Sequence, residues 1–188
     1  MHPALFYRPG ERLSLPELGA ARLDGHVVEV GEGFMPADTV EGAEARAAGV
    51  AGLVLPGTAA CGPTAAWIHG AGDRPPVVHH VRRTSSTRRR VPFAGRVIHH
   101  ERRAPAHELQ DISGVSVVTL VPTAVELAFS AAMGDDDGWL FALVVAHPWL
   151  RQRLRDEIAG MPRRPGRRGA ARVVEELAAV PCPLLRRS

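Results

Sequence analysis

The sequence predicts an α+β fold, and three observations predict it. A capped helix near the N-terminus runs directly into a strand pair, short stretches of strand-type residues recur through the middle, and the C-terminal part carries helices with continuous apolar stripes. At 188 residues and 45% hydrophobic, the chain can bury a real core. The expected division is a truncated winged-helix-like piece over residues 1–38, packed on a mainly helical domain with a small antiparallel sheet over residues 39–188.

The first helix starts at Ser14. Ser14 and Glu17 have the S-x-x-E spacing of a capping box, in which hydroxyl and carboxylate each satisfy a free amide, and Pro16 is tolerated in a first turn. Leu15 and Leu18 give a partial apolar face and Gly25 a left-handed stop. Val28 and Val30 then alternate with polar neighbours up to a Gly31-Glu32-Gly33 turn, and Phe34-Met35 returns. Asp38 or Thr39 is expected to open the next helix, whose face is Val40, Ala43, Ala47, Val50 and Val54. A short strand at residues 58–61 precedes a short helix at residues 62–69, with Pro63 in its first turn.

From Pro76 to Arg103 the pattern predicts an antiparallel hairpin, with strands at residues 77–82 and 96–102 and a basic tip between them. In that register His79 faces His100 and His80 faces His99, a cross-strand arrangement able to ligate zinc or nickel or simply to stack. Residues 114–118 read as a strand feeding the cleanest helix in the chain. Val121, Ala124, Val125, Ala128, Phe129 and Ala132 make its stripe, and Glu126 lies off it as a solvent or interface carboxylate. Asp135, Asp136 and Asp137 precede a helix that is apolar all round from Trp139 to Ala146, favoured there by the positive end of the helix dipole. Leu150, Leu154, Ile158 and Met161 line one more helix, and Val173, Val174, Leu177 and Ala178 the last.

Charge is unevenly spread under a net +3. Residues 1–76 hold five arginines against nine acids, a balance of −4, whereas Val81 to Arg103 hold eight arginines against Glu101, a balance of +7. Arg151 to Arg172 hold eight against Asp156 and Glu157, a balance of +6. All 23 basic residues are arginine, whose planar fork suits phosphate and carboxylate. Arg82, Arg83, Arg88, Arg89 and Arg90, interleaved with Ser85, Ser86 and Thr87, are candidate phosphate contacts, with Arg163, Arg164, Arg167 and Arg168 as a second group. A solvated, flexible loop explains the first group equally well. Arg22 is a further candidate DNA contact, although it is the only cation on the first helix beside Glu17 and Asp24, a poor complement to DNA, and only thirteen residues precede Ser14.

Several stretches occur in one order: the helix, then G-x-V-V-x-V-G-x-G-F-x-P-A-D (residues 25–38), a helix, GPTAAWIHG (62–70), and GVSVVTLVPTAVELA (114–128). In that order the chain resembles the AbiEi-type antitoxins of abortive-infection (type IV) toxin–antitoxin systems, in their compact actinobacterial form, over about residues 5 to 180. The usual P-x-R-T-x-x-D-L-A pattern departs here, with Pro122 in place of the arginine and Glu126 in place of the aspartate. The resemblance implies an antitoxin that restrains a cognate nucleotidyltransferase-type toxin and can bind promoter DNA as an autorepressor.

Other classes have weaker support. No P-loop, G-x-S-x-G, H-E-x-x-H, C-x-x-C or dinucleotide glycine pattern is present, so a catalyst is not expected and no cofactor is implied. A metal-dependent enzyme would have to be assembled from His69 with Asp73, or from His79, His80, His99 and His100; His69 equally suits a hydrogen-bonded core position beside Trp67. A freestanding interaction or dimerisation module is the other alternative, with Trp139, Phe141 and Trp149 as its partner surface. Cys61 and Cys182 form no metal or disulfide pattern, no secretory signal is evident, and no membrane span is expected, which together favour the cytoplasm.

Overall fold

The computed structural model describes residues 5–85, 95–136 and 138–179. It is an α+β fold with a two-stranded antiparallel sheet and a five-stranded mixed sheet, accompanied by seven helices among the described residues. Helix α1 spans Leu15–Leu23, and its capping box is complete, with the Ser14 amide bonded to Glu17 and the Glu17 amide to the Ser14 hydroxyl. Strands β1 (Val27–Val30) and β2 (Gly33–Pro36) form the expected hairpin. Leu18, Val27 and Phe34 close a small core between them.

Helix α2 (Ala43–Val50) starts later than the sequence suggests, because Gly42 occupies the N-cap and Glu41 is taken up by Arg46 at 2.6 Å. Val40 is consequently exposed and no part of the α2 face. The Gly31 turn lies directly on the α2 backbone: a Cβ on Gly49 would stand 2.4 Å from the Val30 carbonyl oxygen. Val30 and Met35 thereby join Val50, Trp67, Val115 and Val117 in one core.

Strand β3 (Thr58–Ala60) lies at the centre of the large sheet, whose order is β5-β4-β3-β7-β6. The other strands are β4 (His79–Arg83), β5 (Val97–His100), β6 (Leu109–Ile112) and β7 (Val115–Val118). β3 pairs with β4 in the antiparallel sense and with β7 in the parallel sense. The expected hairpin between β4 and β5 is corrected here, since the two strands run parallel, with His79 opposite Val97 and Arg82 opposite His100. A parallel pair requires the intervening chain to cross back over, which a two-period pattern does not reveal.

The register sorts side chains between faces. Val81, Ala60 and Val117 share a row and turn toward the α2 side, while Arg82, Ala59 and His100 share the other. Helix α3 (Gly62–Ile68) is buried along most of its length. The second core forms where α4 (Leu120–Ala132), α5 (Gly138–Ala146), α6 (Leu150–Gly160) and α7 (Arg167–Ala179) meet. Among the described residues no helix is long and apolar enough to cross a membrane.

Candidate functional site

The most chemically loaded place is a cleft of about 370 Å³ between the β4–β5 edge, α4, α6 and the turn before α7. Its inner wall is built by the strand alternation that points Arg82 and His100 to the same face. Arg82 is 6% exposed and its Nη2 lies 2.5 Å from Oε1 of Glu126, which α4 brings over that face. Glu126 is therefore an internal partner of Arg82, with its side chain 20% exposed, and not the solvent carboxylate that its place off the stripe suggests. The contact is an ion pair, and Arg82 Nε and Glu126 Oε2 are both buried and without a hydrogen-bond partner.

Two histidines extend this wall. Nδ1 of His80 lies 3.0 Å from Nε2 of His100, with the rings stacked at 5.1 Å. Burial is the largest cause holding both below the ordinary imidazole range, and the neighbouring histidine adds to it at His80. His79 turns to the other face, where its Nδ1 stands 3.5 Å from the Thr64 hydroxyl and burial again lowers its pKa. The opposition of His79 to His100 and of His80 to His99 does not occur, because the strands are parallel. Among the described residues no group of three or more His, Cys, Asp or Glu side chains is placed to hold a metal. Cys61 behind Arg82 is buried, and that burial raises its thiol far above the ordinary range.

At the mouth, the Arg164 guanidinium lies 3.7 Å from the centroid of the Phe129 ring. Burial lowers its pKa, and the proximity of Arg102 adds to the effect. The remaining candidate arginines divide by contact. Arg83 donates from Nε to the Glu101 carbonyl, and Arg167 binds the carbonyls of Ile158 and Ala159, closing the end of α6. Arg22 pairs with Glu29 at 3.2 Å in solvent. Arg163 and Arg168 are exposed, and Arg88, Arg89 and Arg90 lie outside the described residues.

His69 is not brought to a nucleophile. Its Nε2 lies 2.7 Å from the Val118 carbonyl, its own carbonyl is 2.6 Å from His147 Nε2, and burial lowers its pKa, so it ties α3 to β7 and α5. Of the aromatic trio, Trp139 packs against both large cores, whereas Phe141 and Trp149 are 37% and 55% exposed. The residues that sequence reasoning missed are Arg102, His100 as a partner of His80, and Glu126 as a partner of Arg82. Strand alternation at Arg82 was the available signal, masked by the run of arginines around it.

A family model described as the AbiEi antitoxin C-terminal domain matches residues 58–175. No curated protein matches the chain.

Proposed function

Since the chain belongs to the AbiEi antitoxin family, we propose that it neutralises a cognate nucleotidyltransferase-type toxin and represses its own operon by binding promoter DNA. The observation that carries this reading is the match over residues 58–175, which includes the whole large sheet and α3 to α6. The DNA contact is electrostatic, made by phosphate-facing guanidiniums. Arg163 and Arg168, both exposed, and Arg88, Arg89 and Arg90 are the residues proposed for it. Arg82 is taken out of that set by its bond to Glu126, and Arg167 by its two carbonyl bonds.

The N-terminal helix and hairpin form a winged-helix remnant that serves packing, its turn seated on α2. Phe141 and Trp149 supply a contact for the toxin or a second copy, because both leave aromatic surface uncovered beside a buried helix face. The test is co-expression with the proposed cognate nucleotidyltransferase-type toxin. Growth arrested by the toxin alone should recover when the chain is present, and persistent arrest with both proteins expressed would overturn the reading.

A further inference from the structure

Strand β5 is weakly anchored. It stands at one end of the large sheet, and among the described residues only β4 pairs with it. None of its four side chains is buried: Val97 and His100 are half-buried, Ile98 is 45% exposed and His99 is exposed. β3, at the centre of the same sheet, is buried throughout. A strand with so little apolar burial opens locally at small cost.

One side-chain bond ties β5 to its neighbour. Nδ1 of His80 on β4 and Nε2 of His100 on β5 stand 3.0 Å apart, with the rings stacked. Two ring nitrogens at that distance need a proton between them, so that one imidazole donates and the other accepts. A neutral pair meets this condition. A pair with one extra proton meets it too, since the charged ring donates to the neutral one and the bond is stronger for the charge. A second extra proton fills both nitrogens, which leaves two donors face to face and two positive charges in contact. The attraction is then replaced by repulsion.

The groups facing the pair pull in both directions. Asp135 favours charge on His80 and His79 opposes it, while Glu126 favours charge on His100 and Arg82 and His99 oppose it. Glu126 is already bonded to Arg82, and burial opposes the charge on both rings. On the α3 side the His80 ring meets Gly62, and Arg74 lines the same hollow as His80. Glu101, Arg102, Glu108, Glu157 and Arg164 line the cleft together with His100.

We propose that His80 and His100 are a proton-operated latch on β5, holding the strand while the pair carries at most one extra proton and releasing it when both imidazoles are charged. Release removes one wall of the cleft, because His100, Glu101 and Arg102 line it. Rings separated by opening take up protons more readily, so acid favours the open form, by up to about tenfold in the opening ratio per proton for each pH unit. This goes beyond the antitoxin reading and does not rest on it, so failure here leaves toxin neutralisation standing.

The experiment is amide hydrogen exchange of the full chain between pH 7.5 and 5.0, read as protection relative to the unstructured rate at each pH. Protection over Val97 to His100 should fall by about tenfold or more across this range. His99→Gln, outside the pair, should keep the fall. In His100→Gln the amide oxygen can accept from His80 in either charge state, and the fall should shrink to about threefold or less. Nitrogen-15 NMR of the imidazoles in the unaltered chain gives a second reading that needs no variant. The two rings should titrate in separate steps, the later one below the ordinary imidazole range, and β5 should open with that later step. The proposal is overturned by β5 protection that does not change with pH, by an equal fall in His100→Gln, by loss of the fall in His99→Gln, or by two rings that titrate independently in the ordinary range.

Discussion

Arg82 on β4 and Glu126 on α4 meet across the sheet face through a 2.5 Å contact, and both are largely withdrawn from solvent. Such a pair fastens helix to sheet, and its energetics are asymmetric: both ions have already lost their hydration, so each depends on the other. Removing Glu126 leaves an uncompensated guanidinium. Glu126→Ala should lower the unfolding free energy by about 3–5 kcal/mol in urea denaturation, whereas the double replacement Arg82→Met with Glu126→Leu should recover most of it. Equal losses in the single and double variants would count against the pair as a structural element.

The histidines set a pH dependence. His69, His79, His80 and His100 are all held below the ordinary imidazole value of 6.5, with burial the largest cause at each. Where the folded pKa is depressed, the unfolded chain binds more protons between the two values, so stability rises with pH across that window. The contribution is complete above about pH 6.5 and is lost as pH falls below it toward the folded values. Urea midpoints should therefore drop between pH 7.5 and 5.5, and His100→Gln should reduce that drop. A midpoint independent of pH across this range would contradict the assignment.

Two glycines of opposite environment test the seat of the hairpin on α2. A Cβ at Gly49 meets the Val30 carbonyl at 2.4 Å, backbone that cannot swing aside, while one at Gly19 within α1 meets nothing within 4 Å. Gly49→Ala should destabilise by about 1–3 kcal/mol, the usual cost of overpacking. Gly19→Ala should stabilise by about 0.5–1 kcal/mol, since glycine is the poorer residue inside a helix. Thermal melts of the two variants should move in opposite directions.

The α6–α7 contact provides a contrast in strength. Arg155 reaches Glu175 with both Nε and Nη2 at 3.0 Å, but in solvent. Exposed pairs contribute about 0–1 kcal/mol and are screened by salt. Arg155→Ala should shift the urea midpoint only slightly, and less still at high salt.

Much of the fold was legible because local signals and tertiary contacts agree. Ser14 and Glu17 cap α1 as their spacing requires, and the hairpin from Val27 to Pro36 follows the alternation around Gly31. The α4 stripe is buried at Ala124, Val125 and Ala128, with Thr123 and Leu127 added because the helix is covered from two sides. The direction of β5 was not legible, since alternation has the same period in parallel and antiparallel strands. The site suffered for the same reason. Reversing β5 changes which histidine meets His80, and a run of arginines looks uniformly solvated until the strand turns Arg82 inward. The late start of α2 depended on Glu41 choosing Arg46 over a cap, a contact five residues away that no capping pattern encodes.

The central proposal is that the described guanidiniums divide into a set bonded within the fold, including Arg82 and Arg167, and a solvent-facing set, including Arg163 and Arg168, that together with Arg88, Arg89 and Arg90 is proposed to meet DNA. Fluorescence anisotropy with the promoter duplex and an unrelated duplex, measured from 50 to 200 mM salt, tests it most directly. Replacing Arg88, Arg89, Arg90, Arg163 and Arg168 by alanine should weaken binding to both duplexes and flatten the salt slope, by roughly 0.9 for each lost phosphate contact. Arg167→Ala should leave the slope unchanged. An unaltered slope in the fivefold variant, or a flattened one in Arg167→Ala, would contradict the account.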